Sequence, residues 1–229
     1  MTGAPLDGIR ACVFDAYGTL FDVASAALRC ADELAGMAPR LSMLWRDKQL
    51  QYTWLRAVQA RHADFWQVTG DALDFALESL GLADPSLRER LMQLYLTLDA
   101  YPDAPAALRL LREAGLATAI LSNGSPAMLA AVVRNAGLGD LFDHVLSVEE
   151  AGVYKPHERV YQLAVDRLAV PPQQIAFISS NGWDAWAGSA FGMRAIWCNR
   201  QSQTRERLPG APDREIQFLS ELPPLVIAY

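Results

Sequence analysis

The stretch ACVFDAYGTLFD, residues 11–22, ends an apolar run on a carboxylate, Asp15, and places a tyrosine, Tyr17, where a second acid two residues later could have worked beside it. A carboxylate that is desolvated and held in line with an electrophilic carbon is a nucleophile. Three further stretches carry groups able to serve it. LSNGSP at 121–126 supplies Ser122 and Asn123; Ser125 suits a helix cap and Pro126 a first helical turn, so backbone N–H groups there form an anion cradle. VYKP at 153–156 supplies the ammonium of Lys155, and SSNGWD at 179–184 supplies Asn181 and a second carboxylate, Asp184. Taken singly, each has a plain reading. An aspartate after a strand forms turns or caps helices, Ser-Asn-Gly is ordinary loop chemistry, and Lys155 can be a solvated charge. What marks a site is that successive apolar runs all end on polar groups at the same side. His62, His144 and His157 lack any matching partner spacing and read as structural or exposed.

The elements that must position these groups follow from periodicity. Short apolar runs at 9–14, 117–121, 144–147, 175–179 and 195–198 suit strands buried on both faces. Segments with helical spacing, 104–114, 126–136, 158–168 and 185–191, alternate with them, which argues for a parallel sheet with right-handed crossovers. In such a sheet ligands bind beyond the carboxyl ends of the strands, where the polar clusters fall. Residues 23–100 break the rhythm and read as wholly helical, with helices over 23–34, 42–60, 63–66, 71–80 and 85–98. The longest has one stripe of Leu41, Leu44, Trp45, Tyr52, Leu55 and Val58 and another through Arg46, Leu50 and Thr53. Two occupied faces suit either a cap that closes a cleft or a thick helical core that meets a partner subunit. By itself Arg46 is a surface charge whose stem lies on apolar neighbours, and Trp183 beside Asp184 is plain packing. The expected architecture is α/β: a Rossmann-like parallel-sheet core, 1–22 and 101–229, with a helical cap, 23–100, inserted after the first strand.

Bulk properties exclude several classes. The 229 residues are 52% hydrophobic and 20% charged, an ordinary globular balance. Net charge is 20 − 26 = −6 without a basic run, which disfavours nucleic acid and anionic membrane as partners. No apolar run approaches the roughly 18 residues of a membrane span. The three cysteines, Cys12, Cys30 and Cys198, have no metal-type spacing and read as buried reduced thiols, which fits a cytoplasmic protein.

In order, DAYGT, LSNG, YKP and SSNGWD resemble the haloacid dehalogenase superfamily. DAYGTLFD, LWRDKQLQYTWLR and SSNGWD are similar, more narrowly, to the L-2-haloacid dehalogenases, over nearly the whole chain from Ile9 to Leu222. The resemblance implies hydrolysis of (S)-2-haloalkanoic acids to (R)-2-hydroxyalkanoic acids with inversion, through an ester on Asp15. It also accounts for Tyr17, because superfamily phosphatases use an acid there to protonate a phosphate leaving group and halide needs no proton. It implies no cofactor and no metal, with Lys155 supplying the positive charge that Mg²⁺ gives the phosphatases. Thr19 and Ser179 would orient Asp15 or Lys155. Ser122 and Asn123 would hold the substrate carboxylate, and Arg46, helped by Asn123, the departing halide. Tyr17, Leu50, Phe65 and Trp183 would wall the pocket. Asp184 would activate water, with Asn181 and Tyr161 in its network. The resemblance further implies a homodimer. The competing readings are a Mg²⁺-dependent phosphatase or phosphonatase-like hydrolase of the same superfamily, and a binding protein that keeps only the fold. Gly182 and Trp186 depart from the expected pattern in the last motif and bear on local packing.

Overall fold

The computed structural model describes residues 5–227. Six strands form one parallel sheet in the order β3-β2-β1-β4-β5-β6: β1 Ala11–Phe14, β2 Ala117–Ser122, β3 His144–Ser147, β4 Ile175–Ser179, β5 Arg194–Cys198 and β6 Arg214–Ile216. Every residue of β1 and β4 is buried, as expected of central strands covered by helices on both faces. The chain builds outward from β1 to β3 on one side and then returns to β4 on the other, so the topology switches between β1 and β4. That is where a parallel sheet opens a crevice. Phe14 is in register with Ile120 of β2 and Ile178 of β4, and the N–H of Asp15 donates to the carbonyl of Ile178 at 2.9 Å. Asp15 therefore stands at the rim of this crevice.

Core helices α5 Ala104–Glu113, α6 Pro126–Asn135, α7 Glu158–Leu168 and α8 Gly182–Phe191 alternate with the strands, and a short α9, Pro223–Val226, closes the described chain. Between β1 and α5 lie α1 Ser25–Leu28, α2 Ala38–Val58, α3 Phe65–Ser79 and α4 Pro85–Tyr95. The side chains of Asp64 and Asp84 cap α3 and α4 by accepting from Trp66 N, Gln67 N and Leu87 N.

Several boundaries differ from the sequence expectation. The helix expected over 23–34 makes regular α-turns only at Ser25–Leu28 and then continues in tighter turns, until Ala35 and Gly36, at φ of 44° and 82°, redirect the chain. The two pieces at 63–66 and 71–80 are one helix, α3. Gly70 inside it admits Arg88, whose Nη2 lies 3.0 Å from where a Cβ would sit. The α2 stripe that packs is Ala38, Leu41, Trp45, Gln49 and Thr53; Leu55 and Val58 are exposed, so the apolar stripe drawn through them is corrected. β6 was not expected because three residues, two of them charged, leave no apolar run to read.

Candidate active site

The crevice gathers its side chains from five places. Asp15 follows β1 and is 5% exposed. Its Oδ2 accepts from Thr19 Oγ1 at 3.0 Å and from Asn181 Nδ2 at 2.8 Å, and its Oδ1 accepts from Lys155 Nζ at 3.2 Å. Lys155, just ahead of α7, is fully buried and its Nζ donates at 2.8 Å to Oδ2 of Asp184 as well. Asp184 lies in the first turn of α8, also fully buried, and its Oδ1 accepts from the hydroxyl of Tyr161 on α7 at 2.7 Å. One ammonium thus bridges two carboxylates in a site that water barely reaches.

Electrostatics follow from that packing. Burial works against the charged form of Lys155, but Asp15 and Asp184 outweigh it and hold the ammonium above its ordinary range. Asp184 is raised, first by burial and then by the nearby charge of Asp15, with Lys155 acting in opposition. Tyr17 is pushed well above the usual phenol range by burial and then by Tyr95, so it is a neutral ring here. Its hydroxyl is buried without a hydrogen-bond partner in this structure.

Arg46 reaches this rim from α2. Its Nη2 donates to the Tyr17 carbonyl at 3.2 Å and to Asn181 Oδ1 at 3.3 Å, so the guanidinium joins the helical segment to the ends of β1 and β4. Asn181 in turn donates from Nδ2 to Asp15 and, at 3.3 Å, to Tyr17 O, which fixes the orientation of its amide. A cleft of about 720 Å³ lies beside Arg46 and Asn181 and is bordered also by Gly18, Leu50 and Trp183, while Asp15, Tyr17, Ser122, Asn123, Lys155 and Asp184 do not line it.

Other expected residues take different places. Ser179 Oγ accepts the N–H of Asn181 at 3.2 Å and so holds the loop that carries Asn181, whose amide donates to Asp15. Thr19 does both jobs, bonding Asp15 and accepting the Ser180 N–H at 2.8 Å. Ser122 Oγ accepts the N–H of Gly124 at 3.1 Å and Ser125 Oγ that of Met128 at 3.4 Å, which engages part of the backbone cradle expected at the start of α6. Asn123 Oδ1 accepts the N–H of Lys155 at 3.1 Å and so ties the β2 end to the lysine. Phe65 is fully buried, with its ring 5.7 Å from that of Tyr17, which is itself buried.

Gly182 and Trp186 have local explanations. A Cβ on Gly182 would come within 2.9 Å of Glu206 Cγ, so glycine lets the 199–213 loop close against the start of α8. Trp186 is buried edge-on against Trp197 of β5, ring centroids 5.2 Å apart.

Residues outside the sequence reading complete the site. Gln49 Oε1 accepts from Arg46 Nη1 at 2.7 Å and from the Tyr95 hydroxyl at 3.1 Å, while its Nε2 donates to Thr69 Oγ1 at 2.7 Å. The only trace in the sequence is the i,i+3 spacing of Gln49 from Arg46. Arg200 forms a two-pronged pair with Asp103, both contacts 3.0 Å, and donates to the Thr19 carbonyl at 3.0 Å. It pins the turn that carries Thr19. Among the described residues, no group of three or more His, Cys, Asp or Glu side chains could hold a metal ion.

A parallel α/β core with a helical segment after its first strand, and a carboxylate–ammonium–carboxylate relay at its switch point, defines a hydrolase of Rossmann-like architecture. The family model for haloacid dehalogenase-like hydrolases matches residues 9–192, and the chain belongs to that family. It is 48% identical over 223 residues to (S)-2-haloacid dehalogenase 1 of Pseudomonas sp. strain CBS-3, covering 97% of this chain and 98% of that one. A crystal structure of a dehalogenase with an intermediate complex superposes with a TM-score of 0.95 at 46% identity, over 97% of this chain and 99% of the other. The L-2-haloacid dehalogenase from Xanthobacter autotrophicus with chloropropionic acid covalently bound gives 0.88 at 41% identity, over 94% and 97%.

Proposed function

We propose that this chain hydrolyses (S)-2-haloalkanoic acids to (R)-2-hydroxyalkanoic acids, with inversion, through an ester on Asp15. The observation that carries the reading is the buried Lys155 ammonium bonded to both Asp15 and Asp184, with Arg46 delivered opposite by α2. Oδ2 of Asp15 already has two donors, so Oδ1, with one, is the attacking oxygen. It displaces halide from the α-carbon by approaching from the far side of the carbon–halogen bond. The leaving ion is received by the Arg46 guanidinium and by Asn123. Ser122, Asn123 and the remaining α6 amides hold the substrate carboxylate, and Leu50, Tyr17 and Trp183 keep bulk water away. Holding the reacting atoms in line is worth up to about 7–11 kcal/mol of barrier.

In the second step Asp184, steadied by Tyr161, takes a proton from water attacking Cγ of the ester. Negative charge then develops on Oδ2, where Thr19 and Asn181 already donate; one such donor is worth about 10²–10³ in rate. The Cγ–Oδ1 bond breaks, so the product hydroxyl in a first turnover comes from Asp15. On this reading residues 23–100 act as a cap over the 1–22 and 101–229 core. We further read the enzyme as a metal-independent, cytoplasmic homodimer; buried free thiols at Cys12, Cys30 and Cys198 support a reducing compartment.

The test is halide release from each enantiomer of 2-chloropropanoate in EDTA, followed by one turnover in ¹⁸O-water with enzyme in excess. The expected product is unlabelled (R)-lactate from the (S)-acid, with the label in Asp15. Labelled lactate in that first turnover would overturn the ester, and phosphate release from a monoester with Mg²⁺ in place of dehalogenation would favour the phosphatase reading.

A further inference from the structure

Arg200 follows β5 on a turn that the Asn199 amide holds, accepting the Gln203 N–H at 2.7 Å and donating to the Gln203 carbonyl at 2.9 Å. The Arg200 side chain is 9% exposed and its Nε is buried without a partner, so the two terminal nitrogens carry its hydrogen bonds. Nη1 donates to Asp103, and Nη2 donates both to Asp103 and to the Thr19 carbonyl, each at 3.0 Å. The guanidinium carbon lies 3.9 Å from the centroid of the Tyr101 ring. These partners belong to one junction. The chain leaves the core for the helical segment through residues 19–22 and returns through 99–103, and the two stretches pair. The Tyr101 N–H donates to the Leu20 carbonyl at 2.9 Å, the Asp22 N–H to the Asp99 carbonyl at 2.8 Å, and Phe21 bridges to Ala100. Arg200 grips both stretches at once. Asp103 gives up a local role to be gripped. It stands at the N-cap of α5, where an aspartate ordinarily accepts from the first helical N–H groups, yet it makes no such bond. Its oxygens accept from Arg200 and from the Leu219 N–H at 2.7 Å instead.

We infer that Arg200, held by Asp103, is a positioning residue for ester hydrolysis: it fixes the junction between core and helical segment and so aims the Thr19 hydroxyl at Asp15. The inference rests on the dehalogenase reading and adds a residue to it. Arg200 touches no reacting atom. Its route to the chemistry is one residue long, since Thr19 accepts from Arg200 at its carbonyl and donates from Oγ1 to Asp15 Oδ2 at 3.0 Å. Oδ2 is where negative charge develops when water attacks the ester, and a donor counts there only while it is aimed. Alkylation by Oδ1, which faces Lys155, depends on Thr19 less. Lysine cannot replace this guanidinium, because one ammonium cannot make a two-pronged pair, lie against a ring and reach a carbonyl together.

The experiment follows halide, esterified chain and lactate in rapid-quench single turnovers of (S)-2-chloropropanoate, in the wild type, Arg200→Lys, Asp103→Asn and Arg194→Lys. Asp103→Asn keeps one oxygen for the fork and decides the matter if Arg200→Lys does not fold. Arg194→Lys controls for a merely structural loss, since Arg194 pairs with Asp213 at 2.8 Å at the opposite end of β5. In Arg200→Lys, ester hydrolysis is expected to slow about tenfold or more while halide release stays within about threefold, so that esterified chain accumulates. Asp103→Asn should shift the two rates the same way, and Arg194→Lys should leave them in their wild-type ratio. Amide exchange at 19–22 should quicken in Arg200→Lys, a readout that needs no turnover. Equal slowing of both steps, slowing confined to halide release, or a lower urea midpoint with the ratio intact overturns the positioning role and spares the dehalogenase. Exchange at 19–22 that matches the wild type, or an altered ratio in Arg194→Lys, does the same. No halide from the wild type overturns the dehalogenase reading, and the positioning role with it.

Discussion

Lys155 is the residue on which the site turns. A fully buried ammonium is tolerated only because two carboxylates meet it, and removal of one partner leaves a buried charge uncompensated, at a cost of about 3–5 kcal/mol. Asp184→Asn retains an acceptor for Lys155 but removes the base. It is expected to release close to one halide per active site in a burst and then stall, with intact-mass spectrometry showing the chain heavier by the 1-carboxyalkyl group that the substrate leaves on Asp15. A chain of unchanged mass after the burst would remove Asp184 from the second step. Gln49 is a positioning residue, since it touches Arg46 and no reacting atom. Gln49→Leu should lower kcat by about tenfold while weakening inhibition by added bromide, a readout that mere loosening of the fold would not move. It should also cost about 1–3 kcal/mol by removing the Gln49 acceptor of the buried Tyr95 hydroxyl, while Thr69 keeps its bond to the Phe65 carbonyl. The sequence made Asp15, Lys155 and Asp184 legible because each follows an apolar run, and a sheet fixes where such runs end. Gln49 was illegible for the opposite reason: its partners lie on α3 and α4, and no local pattern states which helices will pair.

At the level of elements, strand and helix alternation was readable throughout the core because fully buried strands carry unbroken apolar runs. The differences fall where polar or small residues hold a structural position. α8 starts at Gly182, three residues before the expected 185, since Asn181 already sits in extended geometry at its N-cap and Gly-Trp reads as loop. That early start is what puts Asp184 in a first helical turn beneath Lys155. The Ser122–Ser125 turn has a similar hidden requirement. A Cβ on Gly124 would lie 2.7 Å from Cε2 of Tyr17 and 3.1 Å from Leu129, so the turn works only if its backbone passes close under the aromatic ring. Gly124→Ala is therefore expected to destabilise the protein by about 1–3 kcal/mol through overpacking, read as a lower urea midpoint. It should reduce kcat/KM as well, because the Tyr17 carbonyl that moves with the ring accepts from both Arg46 and Asn181. An unchanged midpoint together with unchanged activity would show that Tyr17 has room the structure does not give it.

Across the whole molecule, charge is arranged against its own average. The chain carries −6 overall, yet at the crevice Lys155 and Arg46 offset the two carboxylates Asp15 and Asp184 where an anionic acid is received and an anion released. The buried titrations then set opposite limits on pH. Asp184 is held above the ordinary 3.8 of an aspartate, so the folded state binds its proton more tightly than the unfolded chain does. This group therefore costs stability as pH rises from about 3.8 through its folded value, and it supplies a working base only above that value. Lys155 is held above 10.5; its contribution is fully present below 10.5 and is lost as pH climbs through the folded value. The value of kcat/KM, which reports the free enzyme with Asp15 still a carboxylate, should hold level on the alkaline side to about 10.5. Ester hydrolysis, followed in single turnovers, should fall on the acid side as buried Asp184 takes up its proton. Ester hydrolysis with no acid limb would mean that Asp184 is not the base, and an alkaline loss of kcat/KM centred near neutrality would mean that the ammonium of the free enzyme is not shared by two carboxylates.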